Sequence, residues 1–177
     1  VKARDAGKVR AIGYSGDNEA AAYAANLNDI EVIQMSISIA DQANLDTVLP
    51  ICQKRDLAVI AKRPIANAAW KDLADQHGVY SAYAKTYTER LEAMDLTPHE
   101  LGFHGYADVE WPEIALRFTL SQPGVHTAIV GTTSTVNARA NIAAAEKGPL
   151  PEDTVSKIRQ AFGDAEKKAG TRWLAET

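Results

Sequence analysis

Four short stretches of the chain end in residues suited to holding a polar ligand. They are Gly13-Tyr14-Ser15-Gly16-Asp17-Asn18, Gln34 followed by Ser36 and Ser38, Lys62-Arg63-Pro64-Ile65, and Gly131-Thr132-Thr133-Ser134. Hydroxyls and amides both donate and accept, while a basic pair attracts anions. Small residues ahead of a helix leave backbone N–H groups open to a negative group. What these ends lack is acid–base chemistry: they carry no paired carboxylates, no His/Cys cluster and no nucleophile elbow of the G-x-S-x-G type. Gln34 interrupts an apolar run, and a buried amide needs partners. Lys62 offers one covalent option, a desolvated amine that forms a Schiff base, but Arg63 and Pro64 beside it favour a solvated rim. His77, His99, His104 and His126 are scattered and read as surface residues, Met35 and Trp111 as core, and Cys52 as inert packing.

The elements that must position these groups follow from hydrophobic patterning. Val9–Ser15, Ile30–Ser38, Leu57–Ile65 and Thr127–Thr133 are apolar blocks rich in Val and Ile. Such blocks suit parallel strands covered on both faces. Between them lie helical segments: an Ala-rich stretch after Asp17 or Asn18 as cap, one helix over residues 44–56, one opening near Pro112 and stopped at Gln122–Gly124, and one opening at Ser134 or Thr135. Pro50 is tolerable only near a first turn. A last helix runs over residues 151–170. Residues 67–106 form a helical insert, and residues 1–177 read as one domain. The alternation implies βαβ units and a parallel sheet. Four such units are half of an eight-fold barrel: the chain is part of a longer barrel, closes with a second copy, or forms an open α/β sheet.

The bulk properties exclude several classes. The 177 residues are 46% apolar with a formal charge of −4. No basic run exceeds two residues, which argues against nucleic acid as a partner. A single cysteine forbids an internal disulfide. No apolar run nears the roughly 20 residues of a membrane span, and the first ten residues carry no signal-peptide core. The expectation is a soluble cytoplasmic protein with no membrane partner. Because the chain opens on Val1 rather than Met, its natural start is expected upstream.

Several motifs, in order, resemble the aldo-keto reductases. Gly7–Gly16 resembles the family's G-K-x-R-x-I-G-V-S-N segment, "VIQMSIS" its glutamine-bearing strand, and "VIAKRPI" the place of its A-Y-S-P-L. The longest match is Ala115–Ile142 against A-L-R-W-x-L-x-Q-P-x-V-x-x-x-I-P-G followed by E-N. The resemblance implies a (β/α)8 TIM barrel of which this chain supplies about the last four βα units. It also implies an oxidoreductase transferring hydride between NADP(H), or NAD(H), and a small aldehyde or ketone. In that reading Ser15 and Gln34 bond the nicotinamide carboxamide, and Lys62 stands in the place of the stacking aromatic. Arg63, Pro64 and Ile65 line the pyrophosphate path. Gly131, Thr132, Thr133 and Ser134 hold the adenosine 2'-phosphate or ribose, and Asn137 and Asn141 reach the adenine. Gly16 replaces the usual Asn. The family's catalytic Asp, Tyr, Lys and His have no counterparts here, so the resemblance implies a cofactor-binding half without catalytic residues. Its partner is then a missing N-terminal barrel half or a second copy; the alternative is a non-catalytic half-barrel that self-associates or binds nucleotide.

Overall fold

The computed structural model describes residues 1–72 and 81–177, with the side chains of 81–83 left aside; His77 and the middle of the expected insert lie outside the described residues. Four strands form one parallel sheet in chain order: β1 (Gly13–Ser15), β2 (Val32–Ser36), β3 (Ala58–Lys62) and β4 (Thr127–Ile129). Parallel neighbours require crossovers. These are supplied by α2 (Asn18–Ala25) between β1 and β2, and by α3 (Ala43–Thr47) with α4 (Leu49–Lys54) between β2 and β3. A short N-terminal helix, α1 (Lys2–Asp5), precedes β1. Past β3 come a 3-10 turn (Ala66–Ala68), α5 (Ser81–Met94), a second 3-10 turn (His99–Leu101) and α6 (Ala107–Leu120). After β4 come α7 (Thr135–Glu146) and α8 (Glu152–Ala169).

The strands are shorter than the apolar blocks. β1 and β4 each pair on one side only, so pairing stops after three residues. Nor are the strands covered on both faces. Ile33, Met35, Val59 and Ala61 point to the helical side and are fully buried, while Gln34, Ile60 and Lys62 lie half-buried on the opposite face. A parallel sheet normally has both faces covered; here one face packs on helices and the other lies open. Gln34 is therefore not a buried amide. Gly13 permits the close approach of β1 to β2, since a Cβ there would sit 2.9 Å from the Val32 carbonyl oxygen.

Two prolines redraw the expected helices. The helix expected over 44–56 is two, broken at Val48, because Pro50 cannot donate to the carbonyl of Asp46 and sits in the first turn of α4 instead. Helix α6 begins five residues earlier than its proline suggests and carries Pro112 inside. The exposed first turn lets water satisfy the Asp108 carbonyl that Pro112 leaves without a helical donor.

One core joins the helical face of the sheet to α2, α4, α5, α6 and α8, with Met35, Cys52, Tyr87, Trp111 and Phe118 among its buried members. Burial raises the Cys52 thiol above its ordinary range, in keeping with inert packing. Helix α8 presents Thr154, Ile158, Phe162 and Ala165 inward, a stripe of helical period. Beyond α8, residues 171–177 run without regular structure, yet Ala175 is buried.

Candidate functional site

The parallel register sets the first contact. Ser15 pairs with Gln34, Gln34 with Ile60, and Ile60 with Thr127, so these four form one row across the sheet. Gln34 Nε2 donates to Ser15 Oγ at 2.9 Å. One row further on, Ser36 pairs with Lys62 and Lys62 with Ile129. Side chains two residues apart share a face, so Gln34 and Lys62 open on the same side. There they line a cleft of about 730 Å³ with Arg63, Pro64, Ile65, Asn67 and the strip Ile129-Val130-Gly131. A Cβ placed on Gly131 would meet nothing within 4 Å, so the backbone there stays approachable.

The expected ligand-holding set thus divides. Ser15, Gln34, Lys62, Arg63, Pro64, Ile65 and Gly131 gather at or beside the cleft. Thr132 and Asn141 instead line a separate cavity of about 430 Å³ between β4, α6 and α7. Ser134 caps α7 by accepting the Asn137 N–H, and Thr132 Oγ1 accepts the Ser134 N–H. Thr133 is exposed in the same loop. His126 is exposed but not idle: its Nδ1 accepts the Val59 N–H at 3.0 Å and starts the β3–β4 pairing.

Beneath the cleft lies a polar cluster that no motif announces. The Lys62 ammonium sits 2.8 Å from Asp17 Oδ2, whose side chain is fully buried. Asp17 Oδ1 also accepts the Ser36 N–H at 2.6 Å and the Asn44 amide at 2.9 Å. The Lys62 side chain is tied to this buried carboxylate, so it is neither a free Schiff-base amine nor a side chain lying loose over the cleft. Asp17, one of the two residues expected to cap α2, occupies the N-cap position, but its side chain makes no capping bond.

A second buried carboxylate lies behind the first. Asp41 Oδ2 accepts the Tyr87 hydroxyl at 2.7 Å and the Glu176 N–H at 3.2 Å. Desolvation raises the Asp41 carboxyl to about 7, against the opposing pull of Tyr87, Arg90 and the Glu176 N–H. Burial and then the Asp41 charge push the Tyr87 hydroxyl upward. A tyrosine serving as general acid needs its pKa lowered toward the working pH; Tyr87 is shifted the other way. Among the described residues no group of His, Cys, Asp or Glu is placed to hold a metal ion.

The backbone after β3 is unusual. Arg63, Ala66, Asn67 and Ala68 all have positive φ, between 45° and 58°. None is glycine, and each such residue costs of order 1 kcal/mol. Strain of this kind sits beside the cleft, which Arg63 and Asn67 line.

Comparison with known proteins places this geometry. The model of the aldo/keto reductase family matches residues 1–162. The chain belongs to the aldo/keto reductase family. Among solved structures it is similar to the aldo-keto reductase AKR11C1 from Bacillus halodurans. The holo form has a TM-score of 0.70 at 21% identity, covering 90% of this chain and 52% of that one. The apo form has a TM-score of 0.69 at 22% identity, with 90% and 53% covered. The chain therefore spans about half the length of the structures it resembles, and its four parallel βα units correspond to half of a TIM barrel. No curated protein matches it. Family membership marks it as belonging to an oxidoreductase family, and among the described residues no helix is long and apolar enough to cross a membrane.

Two departures from the aldo/keto reductase pattern gain a physical reason. At Gly16 a Cβ would lie 2.6 Å from the Tyr14 ring, so the small residue lets that ring fold over the turn. At Lys62 the expected aromatic is replaced by a cation whose charge Asp17 neutralises from below.

Proposed function

We propose that this chain is the cofactor-binding side of an aldo-keto reductase, acting in hydride transfer between NADP(H), or NAD(H), and a small aldehyde or ketone. The observation that carries the proposal is the Ser15–Gln34 pair opening on the 730 Å³ cleft. A volume in this range suits a ligand of cofactor size. The donors and acceptors present fit a carboxamide: after donating to Ser15, the Gln34 amide keeps its carbonyl oxygen and one N–H. Asn67 adds a buried Nδ2 with no partner among the described residues. Arg63 supplies positive charge at the cleft for a pyrophosphate. Gly131 and the loop to Ser134 offer an approachable backbone ahead of α7, where the helix start favours an anion. The bound cofactor would supply the hydride; the chain's residues bind it and orient its ring.

The proton is expected from a segment carrying the family's Asp, Tyr, Lys and His set, which is the chain's proposed partner. The shifted Tyr87 supports that division. Titrating the 177-residue chain with NADPH and following cofactor fluorescence tests the reading. Saturable binding is expected, weakened about tenfold in Gln34→Ala, the scale of losing one or two hydrogen bonds to the ligand. Absence of saturable binding overturns it. No turnover of a generic aldehyde is expected from the chain alone.

A second reading has its own observation. Tyr14 on β1 and Ile129 on β4 are 36% and 48% exposed at the two outer strands. A half-barrel with such edges pairs with a second copy or with another chain.

A further inference from the structure

We propose that residues 171–177 form a strap that holds the strained loop 63–68 in the shape that lines the cleft. The proposal rests on the cofactor reading only for its ligand; the strap itself stands on the contacts. The tail lies beyond the stretch matched by the family model, which ends at residue 162. It is nevertheless gripped from three elements. Asn18, at the head of α2, donates its amide to the Ala175 carbonyl at 2.8 Å and accepts the Ala175 N–H at 2.9 Å. Asp41, after β2, accepts the Glu176 N–H. Arg90, on α5, donates to the Leu174 carbonyl at 2.8 Å and meets the Glu176 carboxylate at 3.3 Å.

The link to the cleft is Arg63. Its guanidinium donates to the Glu176 carbonyl and, at 2.9 Å, to Ser36 Oγ, and it also lies beside the Tyr87 hydroxyl. Arg63 is the first of the four positive-φ residues. Backbone in sparsely populated regions persists only where surrounding contacts over-determine it. Local hydrogen bonds from Ala66 N–H to Arg63 and from Ala68 N–H to Ile65 close the loop's own turns. They do not attach it to its neighbours; Arg63 does, through Ser36 and through the tail, and the Pro64 carbonyl does by accepting from the Thr119 hydroxyl. The anchor upstream is aromatic: Trp173 stands edge-on to Phe162 with centroids 5.1 Å apart, and the Arg90 guanidinium lies 5.5 Å over its ring. Most of the grip falls on main-chain atoms of Leu174, Ala175 and Glu176. The strap is therefore insensitive to side-chain identity at its end and sensitive to its length.

That asymmetry supplies the test. A chain ending at Trp173 is compared with the full chain and with Glu176→Gln by amide hydrogen exchange. Exchange of residues 65–69 is expected to rise about tenfold in the shortened chain, with β2 and β3 unchanged and Glu176→Gln behaving as the parent. NADP+ affinity is expected to fall about tenfold in parallel, the scale of misplacing one charged donor. Asn18→Ala, which removes two strap bonds and leaves the chain intact, gives the same sign at smaller size if the shortened chain does not fold. Unchanged exchange at 65–69 in a folded variant overturns the proposal, as does faster exchange with full NADP+ affinity. If the parent itself binds no NADP+, the cofactor reading falls, and the exchange measurement alone decides the strap.

Discussion

The resemblance sets Lys62 at the place expected of an aromatic ring, and Asp17 explains how a cation is tolerated at this strand end. Taking one partner from a buried pair leaves an uncompensated charge, at about 3 kcal/mol or more. Asp17→Ala also removes acceptors from Ser36 and Asn44. It is expected to lower unfolding free energy by about 3 kcal/mol in urea titration; a loss below about 1 kcal/mol would show the cluster to be hydrated. Asp41 carries a prediction of opposite sense. Its folded pKa, about 7, lies above the ordinary 3.8. Between those values the folded chain keeps a proton that the unfolded chain has shed, so this group's contribution to stability falls as pH rises through that window and is flat above it. The groups facing it are Tyr87 and Arg90 on α5, Asp17, and the Glu176 N–H of the tail. Asp41→Asn is expected to flatten the slope of stability between pH 4 and 7, measured by thermal melts across that range. That Ser15, Gln34 and Arg63 stand together at polar strand ends was legible from residue type and the apolar blocks around them. Asp17 was not, because an aspartate before an Ala-rich helix reads as a cap, and only the fold shows its carboxylate turned to Ser36, Asn44 and Lys62.

The α/β alternation was legible because burying one face of each helix imposes a 3.6 period, while the strands show as apolar blocks. Their ends were not, because pairing partners decide where a strand stops. Pro50 and Pro112 show two outcomes of one constraint: a break where the chain must turn within a compact core, tolerance where the first turn meets solvent. The tail was illegible for a different reason. Its grip uses main-chain atoms, which leave no trace in residue type. Its aromatic anchor, however, is open to mutation. Phe162, 5% exposed, packs against both the core and Trp173. Phe162→Ala is expected to cost about 3 kcal/mol through lost burial and the cavity left behind. It should also loosen the strap, so that tryptophan fluorescence from Trp173 shifts toward that of an exposed indole before global unfolding. Coincident loss of both signals would show that α8 and the tail do not separate.

The molecule as a whole carries its site on a face that four strands leave open. A closed barrel would wall the cleft on every side; here Gln34 and Lys62 look out from a sheet with exposed outer strands, and the chain covers 52% of the related structure. Exposed parallel edges attract further strands. Sedimentation of the chain from about 1 to 100 μM is therefore expected to show reversible association, with species heavier than the 19.1 kDa chain. Ile129, on the β4 edge and 48% exposed, is the position at which to interrupt it. Ile129→Lys sets a charge on that edge while removing little buried surface. It is expected to move the midpoint of association at least tenfold upward in concentration without lowering the melting temperature by more than a few degrees. A single 19.1 kDa species at every concentration overturns the self-associating reading. It leaves the proposed N-terminal half as the partner, and adding a segment with the family's Asp, Tyr, Lys and His set to the chain is then expected to give aldehyde reduction.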